Sequence, residues 1–265
     1  MLQRTDWQVQ LSGQEIEELQ SVAEGVMDQS VEGIELGDFE LPQLTPRLKQ
    51  ISHDLEQGCG AAWLRGLPKD LDQALLERMF WLLALHLGVP LSQSAEGERL
   101  FSVADKGYAA DDPRTRGPNT RSKLSYHTDR CDVIGFCCYR QAKSGGESRI
   151  VSSMAIYNEI LNRRPDLLNL LCEPFYYLRH TVDGGNEKPW CQQPVFSFCD
   201  GHFAASLLRV LIDRAHSHPD LPDLSSAQKE ALDLVENLAD EPFLHHSFYQ
   251  EPGDILFINN WVNLH

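Results

Sequence analysis

Two stretches decide the fold: "LSYHTDRCDVIGFCCYRQAKSGGESRIVSS", residues 124–153, and "EPGDILFINNWVNLH", residues 251–265. The first has the aromatic and β-branched content of paired strands, and "SGGES" marks a turn within it. The second carries Pro252-Gly253, a dipeptide that a type II turn prefers, ahead of an apolar run spelled like a core strand. Inside the first stretch His127 and Asp129 stand two apart. Along a strand, side chains at i and i+2 leave the same face, so these two are expected to point together. An imidazole nitrogen beside a carboxylate oxygen gives two legs of a metal site. A second histidine from a distant strand would complete the facial triad that suits non-haem Fe(II), with the opposite face left open. The three-residue spelling alone decides little, because a surface histidine near an aspartate on an ordinary strand reads the same way.

The rest of the chain frames those stretches. "SGQEIEELQSVAEGVMD" opens with Ser12 and Glu15 at capping-box spacing, followed by apolar residues at helical intervals. "LPQLTPRLKQISHDLEQGCG" predicts a second amphipathic helix stopped by Gly58 and Gly60, and "AAWLRGLP" a short strand. "DLDQALLERMFWLLALHLG" predicts a third helix, apolar almost all round in its second half and so buried. Further on, "MAIYNEILNRRPDLLNLL" reads as helix broken at Pro165, and "KPWCQQPVFSF" and "HFAAS" as short strands around an Asp200-Gly201 turn. A last helix is capped by Ser225 and Gln228. Sequence pattern alone reaches mixed α and β with an antiparallel core, in one domain over residues 1–265.

Composition narrows the function classes. The 265 residues are 42% hydrophobic and 9% aromatic, enough for a substantial core. A formal charge of −16 argues against a nucleic-acid partner, whose phosphates need a basic face. No apolar run approaches the length of a membrane span, and charges interrupt the N-terminus where a secretion signal needs apolar residues. Seven cysteines, an odd number without Cys-x-x-Cys spacing, are expected to be reduced thiols of a cytoplasmic protein.

Together, the two opening stretches resemble the taurine dioxygenase (TauD/TfdA) family of Fe(II)- and 2-oxoglutarate-dependent oxygenases, in particular its clavaminate-synthase-like branch. The resemblance rests on the His-x-Asp, the Gly-Gly-x-Ser turn after it and the Pro-Gly-Asp ahead of the final histidine. It runs from near Val31 to the last residue. It implies an α+β fold built on a double-stranded β-helix, a distorted jelly roll, with a helical N-terminal layer and inserted helices. It implies His127, Asp129 and His265 as ligands of Fe(2+), and Ser148 as the hydroxyl that meets the distal carboxylate of 2-oxoglutarate. The implied reaction couples O2 and 2-oxoglutarate to hydroxylation of a small-molecule substrate, with release of succinate and CO2. No catalytic residue beyond the metal ligands is implied.

One part of the family pattern is missing. The family places an arginine beyond the distal histidine, where its planar fork pairs with the 2-oxoglutarate carboxylate. This chain has no residue there, which leads to the expectation of a truncated sequence lacking its last core strands. Arg140 or Arg149 is an alternative anchor, and solvent-facing surface is the plainer reading of both. The loop 106–123 and the segment 183–193 are expected to form a lid, whose Arg114, Arg116, Arg121, Lys123 and Lys188 would suit an anionic or amino-acid-like substrate. His245 and His246 are expected to face opposite sides of a strand. His216 and His218 are placed at a helix C-terminus, and His180 and His202 at strand edges. Two other functions stay open: a zinc hydrolase using the same ligands, and an inactive or partner-dependent jelly-roll binding protein.

Overall fold

A computed structural model describes residues 7–94, 96–108, 120, 123–179 and 188–265. The N-terminal layer holds β1 (Gln8–Gln10), α1 (Gly13–Gly25), two short 3₁₀ turns (Val31–Gly33 and Leu36–Asp38), α2 (Thr45–Gln57), β2 (Ala61–Arg65) and α3 (Gln73–Leu85). There follow β3 (Val133–Cys137), β4 (Ser148–Ser152), α4 (Ser153–Arg163), α5 (Pro165–Leu171), β5 (Phe175–Leu178), β6 (Trp190–Gln193), β7 (Phe196–Cys199), β8 (His202–Ala205) and α6 (Arg209–His216). The chain closes with α7 (Ser226–Ala239), β9 (His245–Phe248), β10 (Ile255–Asn259) and β11 (Asn263–Leu264). The capping boxes at Ser12/Glu15 and Ser225/Gln228 both form, and Pro165 opens a new helix at its first position, where its missing N–H costs nothing.

Four strands in the order β1-β2-β10-β3 make one sheet, and β11-β4-β9 make a second. The two central strands of the first, β2 and β10, are almost wholly buried because both of their faces are covered. Along β2, Ala62 and Leu64 join the cluster with helices α1, α2 and α3, while Ala61 and Trp63 turn to the other side. Along β10 the same alternation sends Ile255 and Phe257 to the helices, and Leu256 and Ile258 to the other side. That other side is the space between the sheets, where Trp63, Leu256 and Ile258 meet Ile150 and Phe248 of the second sheet, with Trp7 stacked on Trp63 at 5.5 Å. A third cluster lies under α4 to α7 and the hairpins β5-β6 and β7-β8. The β7-β8 hairpin turns on Asp200 and Gly201, both at positive φ, which is the two-residue turn expected there.

One expectation changes, and two features lay beyond the sequence pattern. The His-x-Asp lies in an irregular stretch just ahead of β3, not on a strand. The strands flanking Pro252-Gly253 do not pair with each other: β9 belongs to the second sheet and β10 to the first, so this turn carries the chain across the barrel. Asp254 explains its shape. It is 4% exposed, and its carboxylate accepts from the Trp63 indole at 3.1 Å and from the Glu251 backbone N–H at 2.9 Å. Finally, strands β1 and β11, only three and two residues long, were too short for a periodicity to show.

Gly60, where α2 hands over to β2, sits at φ +72, and a Cβ there would lie 2.6 Å from Asn263 Nδ2 and against Val262. The variant Gly60→Ala is expected to lose about 2 kcal/mol or more, from backbone strain and this clash. A denaturant midpoint equal to the wild type would refute it. His86 caps α3, with Phe39 edge-on at 5.7 Å and its Nε2 buried without a hydrogen-bond partner among the described residues. Burial holds its pKa below the ordinary value of 6.5. Below pH 6.5 the unfolded chain therefore takes up a proton that the folded chain resists, so stability falls as pH drops through the folded pKa. Melting curves between pH 5 and 7.5 should show a smaller acid loss for His86→Phe than for the wild type.

Candidate metal centre

The site is built where the two sheets meet. The last turn of chain, residues 260–262, carries it from β10 in one sheet to β11 in the other, and His265 follows directly on β11. His127 N–H donates to the His265 carbonyl at 3.0 Å, and His265 N–H donates back to the His127 carbonyl at 3.1 Å. This two-way exchange fixes the histidines side by side, with ring centroids 4.6 Å apart. His265 Nε2 lies 3.4 Å from Asp129 Oδ2. One donor atom from each of His127, Asp129 and His265 falls within 4.8 Å of the others. The irregular backbone does what a strand was expected to do, because Thr128 between the two points the other way. Its backbone N–H donates to the Leu207 carbonyl at 2.8 Å, and its hydroxyl accepts from Leu207 N–H at 3.1 Å.

The electrostatics suit ligation. His127 Nδ1 lies 2.9 Å from the Ser125 carbonyl, which can only accept, so Nδ1 carries the proton and Nε2 keeps its lone pair for a metal. Burial, with the His265 ring next in effect, holds the His127 pKa below its ordinary value and keeps the ring neutral. The His265 side chain is 10% exposed and packs edge-on to Phe136 at 5.5 Å. Asp129, at 40%, faces the opening. Two imidazoles and a carboxylate, converging from one side, form a donor set that fits Fe(II).

Register shows where the other expected residues lie. Leu264 pairs with Val151, so continuing one residue sets His265 beside Ile150, which points between the sheets. Ser148 starts β4 two residues from Ile150 and shares that inner face. Arg149 faces outward and is held by Glu147 at 2.8 Å and Asp240 at 3.0 Å, while Arg140 lies exposed over the Tyr139 ring. Neither is aimed at the space between the sheets. His246 pairs with Ile150 and turns inward against Trp7, whereas His245 turns outward, its Nδ1 3.0 Å from the Ala239 carbonyl. His216 is a buried structural residue at the end of α6, bridging the Pro222 carbonyl and Tyr176 N–H. His218 sits 3.8 Å from Asp220, and His202 is exposed at the start of β8. Of the proposed lid, Arg114, Arg116, Arg121 and residues 183–187 fall outside the described residues, as does His180, while Lys188 is exposed just ahead of β6. Lys123 is paired with Asp240 at 3.2 Å.

Residues 23–265 match the family described as "Taurine catabolism dioxygenase TauD, TfdA family". The chain belongs to that family. Among curated relatives it is 32% identical to FR-33289 synthase of Streptomyces rubellomurinus over 219 residues, covering 82% of this chain and 64% of that protein. It is 28% identical to the taurine hydroxylase-like protein SAT17 of Stachybotrys chartarum, covering 86% of this chain and 60% of that protein. The chain thus spans less than two thirds of the length of these relatives. Its fold is that of non-haem iron oxygenases of known structure. Asparagine oxygenase, in complex with Fe(II), 3-hydroxyasparagine and succinate, superposes with a TM-score of 0.68 at 16% identity, covering 97% of this chain and 86% of that one. The oxygenase OrfP, in complex with Fe and α-ketoglutaric acid, gives 0.67 at 15%, with the same coverage. The double-stranded β-helix expected from the sequence resemblance is therefore the fold of this TauD/TfdA-family chain. Among the described residues no helix is long and apolar enough to cross a membrane.

Sequence reading missed what surrounds the ligands. Cys131, two residues past Asp129, has its thiol pushed up to about 12 by burial and by the Asp129 and Asp132 carboxylates. Cys137 is pushed up to about 12, chiefly by burial. Both thiols therefore keep their protons at neutral pH and are poor nucleophiles. Iodoacetamide labelling at pH 8, read by peptide mass spectrometry, should mark exposed Cys199 well before Cys131 or Cys137. Labelling of Cys131 at the rate of Cys199 would contradict the closed geometry of this loop.

Proposed function

We propose that this chain is an Fe(II)- and 2-oxoglutarate-dependent dioxygenase that hydroxylates a small-molecule substrate, with release of succinate and CO2. His127, Asp129 and His265 are read as the ligands of Fe(2+). The observation that carries this reading is their convergence, from opposite ends of the barrel segment, with donor atoms within 4.8 Å of one another. Membership of the TauD/TfdA family supports it. When bound, Fe(II) and 2-oxoglutarate would activate O2 for attack on a C–H bond, 2-oxoglutarate giving up two electrons as it becomes succinate and CO2 and the substrate giving the other two.

The chain's own residues do the rest. His127 is held as the neutral tautomer with Nε2 as donor, and the backbone exchange with His265 keeps both rings in place without a rearrangement on binding. Asp129, with its side chain 40% exposed, would supply one negative charge against the two of the cation. Ser148, on the inner face beyond Ile150, is read as a donor to the distal carboxylate of 2-oxoglutarate. Phe136, Trp63, Leu256 and Phe248 give that inner space apolar walls, which exclude water and strengthen each polar contact made inside.

The substrate is read as small and polar, anionic or amino-acid-like. Asparagine oxygenase and OrfP are seen with hydroxyasparagine and with L-Arg, and here a basic residue follows Asp129 directly. Arg130, directly after Asp129, lies over the Tyr177 ring at 6.0 Å with its guanidinium 3.8 Å from Cys191 Sγ. It is better placed to meet a carboxylate than Lys123. We also read residues 1–265 as one domain, because β2 and β10 each contribute to two of the three apolar clusters.

Anaerobic addition of Fe(II) and then 2-oxoglutarate is expected to give a visible charge-transfer band, absent in His127→Ala and abolished by EDTA. In Ser148→Ala the band should persist with 2-oxoglutarate affinity lowered about tenfold, the loss of one hydrogen bond to a charged group. Folded wild-type protein that gives no band would overturn the assignment.

A further inference from the structure

Asp129 is the least enclosed of the three proposed ligands, and it lies in backbone with no ladder to hold it. Something else must fix residues 129–132, since a carboxylate on a free loop would have to be ordered by the metal itself. The structure assigns that task to the side chain of Asn260. This residue is 1% exposed and sits in the link between β10 and β11. Its Oδ1 accepts from the Asp129 backbone N–H at 2.9 Å, and its Nδ2 donates to the Cys131 carbonyl at 3.1 Å. Its own backbone N–H donates to the Asp132 carbonyl at 2.9 Å. Next to it, the Trp261 indole donates to Asp132 Oδ1 at 2.8 Å. Both ends of the Asn260 amide are thus spent on the segment that carries Asp129.

We propose that Asn260 is a positioning residue for metal binding: its amide replaces the missing strand ladder and presets the direction of Asp129. The proposal rests on the reading of His127, Asp129 and His265 as ligands. Its physical content is a preorganisation argument. An amide group offers one acceptor and one donor in a fixed plane, which matches the N–H of Asp129 and the carbonyl of Cys131 across a single turn. No apolar residue of that size could serve, because it would leave both backbone groups buried and unpaired. Aspartate would keep the acceptor but turn a second anion towards the Cys131 carbonyl. The same link leads within five residues to His265, so one short segment sets two of the three ligands relative to each other.

Asn259, its neighbour, provides the matched control. It is 5% exposed, and its amide is also fully used, but it donates to the Leu55 carbonyl at the end of α2 and accepts from Trp261 N–H. Asn259→Ala removes a comparable buried amide that touches no part of 129–132. Mn(II), which stands in for Fe(II) without reacting with O2, can be titrated into the wild type, Asn260→Ala and Asn259→Ala, with free Mn(II) read by electron paramagnetic resonance and melting temperatures recorded alongside. The expected result is a rise of about ten- to hundredfold in the Mn(II) dissociation constant for Asn260→Ala, the usual effect of losing a group that orients a ligand. Asn259→Ala should melt earlier by a similar amount and bind Mn(II) like the wild type. Equal affinities in all three proteins, or equal weakening in both variants, would overturn the proposal while leaving the ligand assignment standing. A wild type that takes up no Mn(II) would instead remove the ligand assignment, and this inference with it. Should Asn260→Ala fail to fold, hydrogen exchange on the metal-free wild type decides: the Asp129 amide must exchange far more slowly than an open loop amide, and exchange at the open rate would overturn the proposal.

Discussion

The two hydrogen bonds exchanged between the backbones of His127 and His265 are the contact on which the barrel mouth depends. They join an irregular segment ahead of β3 to the residue after β11, and so tie the first sheet to the second at one corner. Elsewhere the sheets meet mainly through apolar contact, Trp63, Leu256 and Ile258 against Ile150 and Phe248, with the Asn263 amide donating to the Cys59 and Gly60 carbonyls at the head of β2. Apolar contact is strong but non-directional. It would tolerate a small slide of one sheet over the other, and a slide of that kind would part the two imidazoles. Backbone exchange does not tolerate it, because both bonds lengthen together. The candidate metal site is therefore located by main-chain geometry, and side chains refine it.

The same logic explains why the chain spends buried asparagines between β10 and β11. Asn259, Asn260 and Asn263 are all nearly inaccessible. Each faces a different piece of backbone: the end of α2, the 129–132 segment, and the Cys59 and Gly60 carbonyls at the head of β2. A chain that leaves one sheet and enters another within three residues cannot use ladder hydrogen bonds in either. Side-chain amides supply the missing donors and acceptors at fixed angles. Gly60 completes the arrangement by leaving room for Asn263 where any side chain would collide. Burying these amides is costly unless they are paired, so each is informative about what it holds.

Much of this was legible in the sequence, and the boundary has a physical cause. Capping boxes, the Pro165 break and the Asp200-Gly201 hairpin are local devices, decided by residues within one turn of each other, and all are found as read. The pairing of His127 with His265 was legible only through family resemblance, because nothing in the spacing of residues so far apart dictates contact. One reading failed for a related reason. The His-x-Asp was read as strand from its composition, yet its backbone bonds go to Leu207, Asn260 and His265 instead of one neighbouring strand. The turn at Pro252-Gly253 forms, and it joins strands of different sheets because Asp254 is drawn inward to the Trp63 indole. At both places a buried polar contact from far along the sequence decides what local preference leaves open.

Placement of the charges follows from the same division between local and distant contacts. Arg149, the alternative anchor read from the sequence, is occupied on the outside by Glu147 and Asp240, and Arg163 and Arg209 are occupied likewise, by Glu159 and Glu241 and by Asp213 and Asp233. With 39 acidic residues against 23 basic ones, a surface cation has many carboxylates to pair with. A cation stays available for a ligand only where such carboxylates are kept away, as in the space between the sheets, which is lined by tryptophan, phenylalanine, isoleucine and leucine. In an acidic chain, then, an anionic cosubstrate would be drawn by what the apolar walls enclose, which on the proposed reading is a metal and the hydroxyl of Ser148, while the excess negative charge outside is screened by solvent at ordinary ionic strength.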